Sequence, residues 1–137
     1  MHPFSIRLID HVVLRIRNAD ASLAFYTGVL GCQLEKRQDT IGLIQLRAGN
    51  SLIDLVPIDG PLGRAGGEGP GSTGRNVDHF ALQIVPFREE DIRAHLTSHG
   101  VVIVESGLRY GAQGVGPSVY VSDPDGNTVE LKGPPLS

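Results

Sequence analysis

One cysteine, Cys32, stands in the whole chain, which excludes an internal disulfide and fits a reducing compartment. Tryptophan is absent, and lysine occurs only at Lys36 and Lys132. With a net charge of −3 and no cluster of basic residues, the chain lacks the electrostatic footprint of a nucleic-acid binder. No stretch approaches the roughly 20 consecutive apolar residues that span a bilayer. The opening residues, Met1 to Arg7, lack the apolar run of a signal peptide, so a cytoplasmic location is expected. Aromatic residues are few, whereas 18 glycines and 9 prolines must be accounted for by turns and loops.

What is present is a repeat. Asp10-His11-Val12-Val13-Leu14-Arg15-Ile16 returns as Asp78-His79-Phe80-Ala81-Leu82-Gln83-Ile84, at positions 79 against 11, so 68 residues later. Internal repetition decides architecture before any local reading does. Each copy alternates as a half-buried strand does, with Val12, Leu14 and Ile16, or Phe80, Leu82 and Ile84, on one face. His11 and His79 take the other face. A helix follows each copy: residues 21–30, with Asp20 as N-cap and Gly31 as terminator, and residues 88–99, with Glu89, Glu90 and Asp91 in its first turn and Gly100 at its end.

Three strands complete each half. The first set is read at 32–38, 42–47 and 51–57, and the second at 101–105, 118–122 and 127–132. Residues 58–75 are so rich in glycine that they read as a flexible linker; the spacing of a phosphate-binding loop is missing. A second glycine-rich loop is expected at 106–117. A chain of 137 residues is expected to form one domain: module one at 6–57, the linker at 58–75 and module two at 76–133. The fold class is α+β, two βαβββ modules forming an eight-stranded curved, partly open barrel-like sheet with helices outside. Its concave face is the natural place for a ligand.

The alternation puts Thr128, Glu130 and Lys132 on the histidine side, together with Ser118, Tyr120 and Ser122. Aligning Gly49-Asn50-Ser51-Leu52-Ile53-Asp54-Leu55 with Gly126-Asn127-Thr128-Val129-Glu130-Leu131, with one extra residue in the first copy, brings Asp54 level with Glu130. Each half then supplies one histidine and one carboxylate, a donor set suited to Zn, Ni, Co, Mn or Fe as a divalent ion. The pattern leaves structural readings open. A strand histidine is often satisfied by its neighbours, and Asp54 can be an exposed strand residue or a partner that holds a histidine. Tyr120 is either a core aromatic with its hydroxyl hydrogen-bonded or a substrate contact. His2, His95 and His99 are expected to face solvent, and Arg15, Arg109 and Tyr110 are read as solvated before they are read as anion contacts.

The paired Asp-His strands, Phe25-Tyr26 ahead of Leu30-Gly31, and the block from Ser118 through Asp123-Pro124-Asp125-Gly126-Asn127 to Leu131 resemble the vicinal oxygen chelate superfamily. That superfamily includes glyoxalases, bleomycin and fosfomycin resistance proteins and extradiol dioxygenases. The nearest likeness is to small glyoxalase-domain proteins labelled virulence-associated. The resemblance implies a metal held by His11, His79 and Glu130, with the Asp54 position open as a fourth ligand. It also implies a homodimer, in which His11 can serve the partner's cavity. The function it implies is a metal-dependent lyase or isomerase of lactoylglutathione-lyase type. Glu130 or Asp54 would move a proton between adjacent carbons, and Tyr120 would orient a small-molecule substrate. Two alternatives stand beside it: Fe(II) ring-cleaving dioxygenation, and a resistance protein that binds a drug or transfers a thiol. Asp54 is one methylene shorter than the usual glyoxalase ligand. Val13 replaces the threonine of the fosfomycin enzymes, which also carry a tryptophan.

Overall fold

The computed structural model describes residues 2–136. The chain divides into two compact units that part between Gly69 and Pro70.

In the first unit, β1 (His11–Ile16) runs into α1 (Ala19–Leu23), which widens into a π-helical stretch over Ala24–Val29. The cap is Asn18 rather than Asp20: the Asn18 side chain accepts from the Ala21 N–H at 2.9 Å, and Asp20 lies inside the first turn. Within the widened stretch the Thr27 hydroxyl donates to the Leu23 carbonyl, a backbone acceptor of its own helix. β2 (Gln33–Gln38), β3 (Leu43–Ala48) and β4 (Ser51–Pro57) follow, and then a short α2 (Pro61–Arg64). The strand order is β1-β4-β3-β2, with β1 parallel to β4 and the other pairs antiparallel.

The second unit repeats the order with β5 (His79–Gln83), α3 (Glu89–Ser98), β6 (Ile103–Gly111), β7 (Gly114–Ser122) and β8 (Thr128–Lys132). Its sheet runs β5-β8-β7-β6 with the same mixture of parallel and antiparallel pairs. The repeat extends to irregularities. β2 shifts register between Leu34 and Lys36, and β6 shifts between Ile103 and Glu105, so each edge strand carries a bulge at the same place. The fold is α+β, two modules with a four-stranded mixed sheet each, and neither sheet closes into a barrel among the described residues.

The face assignment follows the alternation. In the first unit Leu14, Ile16, Ile44, Leu46, Ile53 and Leu55 are none more than 2% exposed. Tyr26 and Phe25 bring the helix to that core, their rings edge to face at 5.0 Å. In the second unit Val119, Val121, Val129, Leu131 and Leu96 are buried, and Phe80 and Leu82, opposite Val129 and Leu131, are half-buried. Burying one such side chain is worth roughly 1.5–3 kcal/mol, so the apolar face fixes which residues remain on the polar one.

Two stretches read as glycine loops have structure. Between β4 and the end of the first unit, α2 packs Gly63 against the Pro57 carbonyl, where a Cβ would collide with the backbone. Farther on, the Arg15 guanidinium donates to the carbonyls of Gly67 at 2.9 Å and Glu68 at 2.6 Å, clasping that segment to β1. The predicted loop at 106–117 is a hairpin, with β6 and β7 paired from Ile103 to Gly111 and turning at Ala112-Gln113. Its glycines serve close approach: a Cβ on Gly116 would lie 2.5 Å from the Pro134 carbonyl, and one on Gly111 would strike the Lys132 side chain. At Gly63, Gly111 and Gly116 the missing side chain gives clearance to a neighbouring part of the chain. Among the described residues, no helix is long and apolar enough to cross a membrane.

Candidate functional site

Strand register places the site residues. In the first unit His11 pairs with Leu52, and two residues on Val13 pairs with Asp54. In the second, His79 pairs with Thr128 and Ala81 with Glu130. Asp54 and Glu130 are therefore equivalent, each one pleat along from its histidine and on the same sheet face. The histidine Nε2 lies 3.9 Å from Asp54 in the first unit and 3.4 Å from Glu130 in the second.

The other ring nitrogen is spoken for in the same way in both. His11 Nδ1 lies 2.7 Å from Asp10, and His79 Nδ1 lies 2.7 Å from Asp78. An ionised carboxylate only accepts, so the ring proton sits on Nδ1 and donates outward. In the neutral imidazole the Nε2 lone pair then points at the buried carboxylate. The Asp10 hydrogen bond, with the charge of Asp54, raises the His11 pKa, and the hydrogen bond from His79 lowers that of Asp78. Asp10 lies one residue before β1, and its side chain is 86% exposed. The doublet Asp-His, repeated, was the signal for this partnership.

The carboxylates differ in company. Glu130 is 5% exposed and accepts a 2.6 Å hydrogen bond from the Ser118 hydroxyl. Tyr120 stands directly across the β7–β8 pair from Glu130. Burial first, and then the neighbouring Glu130 carboxylate, hold the Tyr120 phenol above its ordinary pKa, against a pull down from Arg109. The Arg109 guanidinium lies 5.6 Å from the Tyr120 ring centroid and donates to Glu105 at 3.0 Å. Arg109 is therefore part of the site's surroundings and not merely solvated. Asp54, also 5% exposed, has longer contacts: Gln45 Nε2 stands 3.5 Å from both its oxygens.

Lys132, two residues beyond Glu130, shares its face, but its ammonium donates to the carbonyls of Arg109 at 2.5 Å and Gly116 at 3.3 Å. It binds the hairpin to β8. Asp123 organises the turn before β8 by accepting from the Asn127 N–H and side-chain amide, both at 2.8 Å, and from the Asp125 N–H at 2.9 Å. Cys32 is buried, which pushes its thiol up, and so it is poorly suited to nucleophilic work. His2, His95 and His99 are exposed.

A cavity of about 440 Å³ opens beside His79, lined also by Arg75, Val104, Glu105, Tyr120 and Thr128. The structure thus brings His79, Glu130 and Tyr120 together in the second unit, and His11 with Asp54 in the first. Among the described residues no group of three or more His, Cys, Asp or Glu side chains is gathered as a metal cluster. The donor chemistry of each pair, an oriented imidazole facing a buried carboxylate, fits a borderline divalent ion. Sequence reasoning missed Arg75, which lay inside the stretch taken for linker.

Residues 8–131 match the Glyoxalase/Bleomycin resistance protein/Dioxygenase superfamily. A catechol-2,3-dioxygenase of Bacillus subtilis is 31% identical over 124 residues, 90% of this chain and 40% of that protein. The chain therefore spans less than half the length of that relative. A virulence protein of Salmonella typhimurium is 29% identical over 129 residues, 90% of this chain and 81% of the relative. Its crystal structure superposes with a TM-score of 0.74 over 96% of this chain and 99% of that one, at 26% identity. A lactoylglutathione lyase from Agrobacterium tumefaciens shares the fold, with a TM-score of 0.68 over 94% of this chain and 95% of that one, at 19% identity. With its repeated modules and a match along nearly its whole length, the chain belongs to the Glyoxalase/Bleomycin resistance protein/Dioxygenase superfamily.

Proposed function

We propose that this chain is a divalent-metal-dependent enzyme of glyoxalase type, acting on a small molecule through two adjacent oxygens. One observation carries the reading: the same Asp-His-carboxylate arrangement occurs at the same strand register in both units. His79 and Glu130 are ligands, and His11 completes the set, from this chain or from a second copy in a homodimer. A bound zinc, nickel, cobalt, manganese or iron ion supplies Lewis acidity to the substrate oxygens.

The rest is the work of side chains. Asp78 and Asp10 hold the imidazoles in one tautomer. Ser118 donates to Glu130 and keeps its carboxylate in one orientation. Tyr120, at the cavity wall with its hydroxyl protonated across the neutral range, can also direct a hydrogen bond to substrate. A carboxylate moves the proton between adjacent carbons. Glu130 or Asp54 takes that role, and Asp54, with its longer contacts, has more freedom to do so.

Elemental analysis of untagged protein tests the reading. About one ion per chain is expected for the wild type, as one centre requires, and its loss in both His79→Ala and Glu130→Ala. Protein that takes up no metal on reconstitution removes the basis of the proposal. The likeness to a catechol-2,3-dioxygenase favours a second reading, ring cleavage with Fe(II), since two histidines and a carboxylate also form that iron site. Oxygen uptake on adding catechol to iron-loaded protein separates the two.

A further inference from the structure

Arg75 precedes β5 in a stretch whose composition suggested only a tether. It is held in place from two sides. The next residue, Asn76, donates its side-chain amide to Asn127 at 3.2 Å, and Asn127 is fully buried in the Asp123 turn. Arg75 itself donates through Nη1 to the Thr128 hydroxyl at 3.1 Å. Thr128 is the residue directly opposite His79. The guanidinium therefore sits at the same end of the β5–β8 pair as the candidate ligand, and it lines the cavity beside it.

The charges around that cavity are unevenly committed. Glu105 is engaged by Arg109 at 3.0 Å, and Asp78 accepts from the His79 ring at 2.7 Å. Arg109 also donates to the Leu108 carbonyl at 2.9 Å. Arg75 gives Thr128 one hydrogen bond and Asp78 a long one at 3.5 Å. A guanidinium carries five N–H donors in a planar fork, so these two contacts leave it donors to spare at the wall of the cavity it lines. The fork matches a carboxylate. The carboxylates of Asp78 and Glu105 in the same wall disfavour a ligand with a second negative charge, such as a phosphate.

We infer that Arg75 is a specificity residue, anchoring a carboxylate on the substrate. The substrate class is then a small monoanion that carries both two adjacent oxygens and a carboxylate. This rests on the reading of His79 and Glu130 as metal ligands, because that reading puts the oxygens at the Arg75 end of the sheet.

The probes are 3,4-dihydroxybenzoate and its neutral amide, titrated calorimetrically without oxygen into zinc-loaded wild type, Arg75→Gln and Arg75→Lys. Wild type is expected to bind the acid about tenfold more tightly than the amide, the scale of one charge-assisted hydrogen bond. Arg75→Gln should lose the preference while still binding the amide, which shows the pocket intact. Arg75→Lys should keep part of it, as a point charge without the fork. A preference that survives in Arg75→Gln, no preference in wild type, or no binding of either probe overturns the inference. Repeating the titrations on metal-free protein separates the two claims. An Arg75-dependent preference that ignores metal retains the anchor and sinks the metal reading. Metal-dependent binding of both probes without preference does the reverse.

Discussion

The two units share a register and differ in what surrounds the carboxylate. Gln45 stands across from Asp54 where Tyr120 stands across from Glu130. Opposite Lys132 in the second unit is Ser118, whose hydroxyl holds Glu130; the matching strand position in the first is Leu43, which has nothing to donate. The backbone frame and the Asp-His doublet have stayed alike while the strand facing the carboxylate has diverged. One unit fixes its carboxylate and lines a cavity beside it, and the other leaves its carboxylate to longer contacts.

The largest effect should come from the shared element. Asp78→Ala frees His79 Nδ1, and loss of such a partner typically weakens metal binding by about 10–100-fold. Competition with a chromophoric chelator reads this, and Asp10→Ala measured alongside shows whether both histidines carry the same load. Equal affinity in Asp78→Ala and wild type would mean that the doublet is only a surface hydrogen bond.

A smaller effect should distinguish the units in stability. Ser118→Ala removes a hydrogen bond from a buried carboxylate and should cost about 1–3 kcal/mol in urea unfolding. Gln45→Ala, which removes only the long contacts to Asp54, should cost less. Equal losses would erase the difference drawn between the two carboxylates.

The smallest effect concerns two exposed ion pairs that are counterparts only in kind: Glu35 on the edge strand β2 with Arg47 on its neighbour β3 at 2.8 Å, and Glu105 with Arg109 within β6 at 3.0 Å. Arg47 holds the Glu35 carboxyl below its ordinary pKa. A lowered folded-state pKa stabilises above the unfolded value and is lost as pH falls through the folded one. Glu35→Gln should therefore melt slightly lower than wild type near neutral pH, and the two should converge in acid. Both residues are solvent-exposed, so salt should narrow the gap.

Much of this was legible in the sequence because alternation and repetition are written in residue type. Leu14, Ile16, Val129 and Leu131 are buried where period two put them, and Asp54 aligns with Glu130 as the one-residue offset required. Glycine was the weak point. Gly111 and Gly116 lie inside strands because other chain atoms pass against them, a long-range fact invisible to local composition. The Asp20 cap failed for a more local reason, since Asn18 two residues earlier offered a better-placed acceptor. Arg75 was hidden among the glycines, and what gives it meaning is contact with Thr128, 53 positions away.

The buried ammonium of Lys132 has a chemical consequence of its own. It donates to the Arg109 and Gly116 carbonyls and is 6% exposed, whereas Lys36, the chain's other lysine, lies on an exposed edge strand. Toward acylating reagents in solution, the folded protein therefore offers one reactive lysine. Attachment chemistry aimed at lysine lands on the first module and leaves the candidate site in the second untouched.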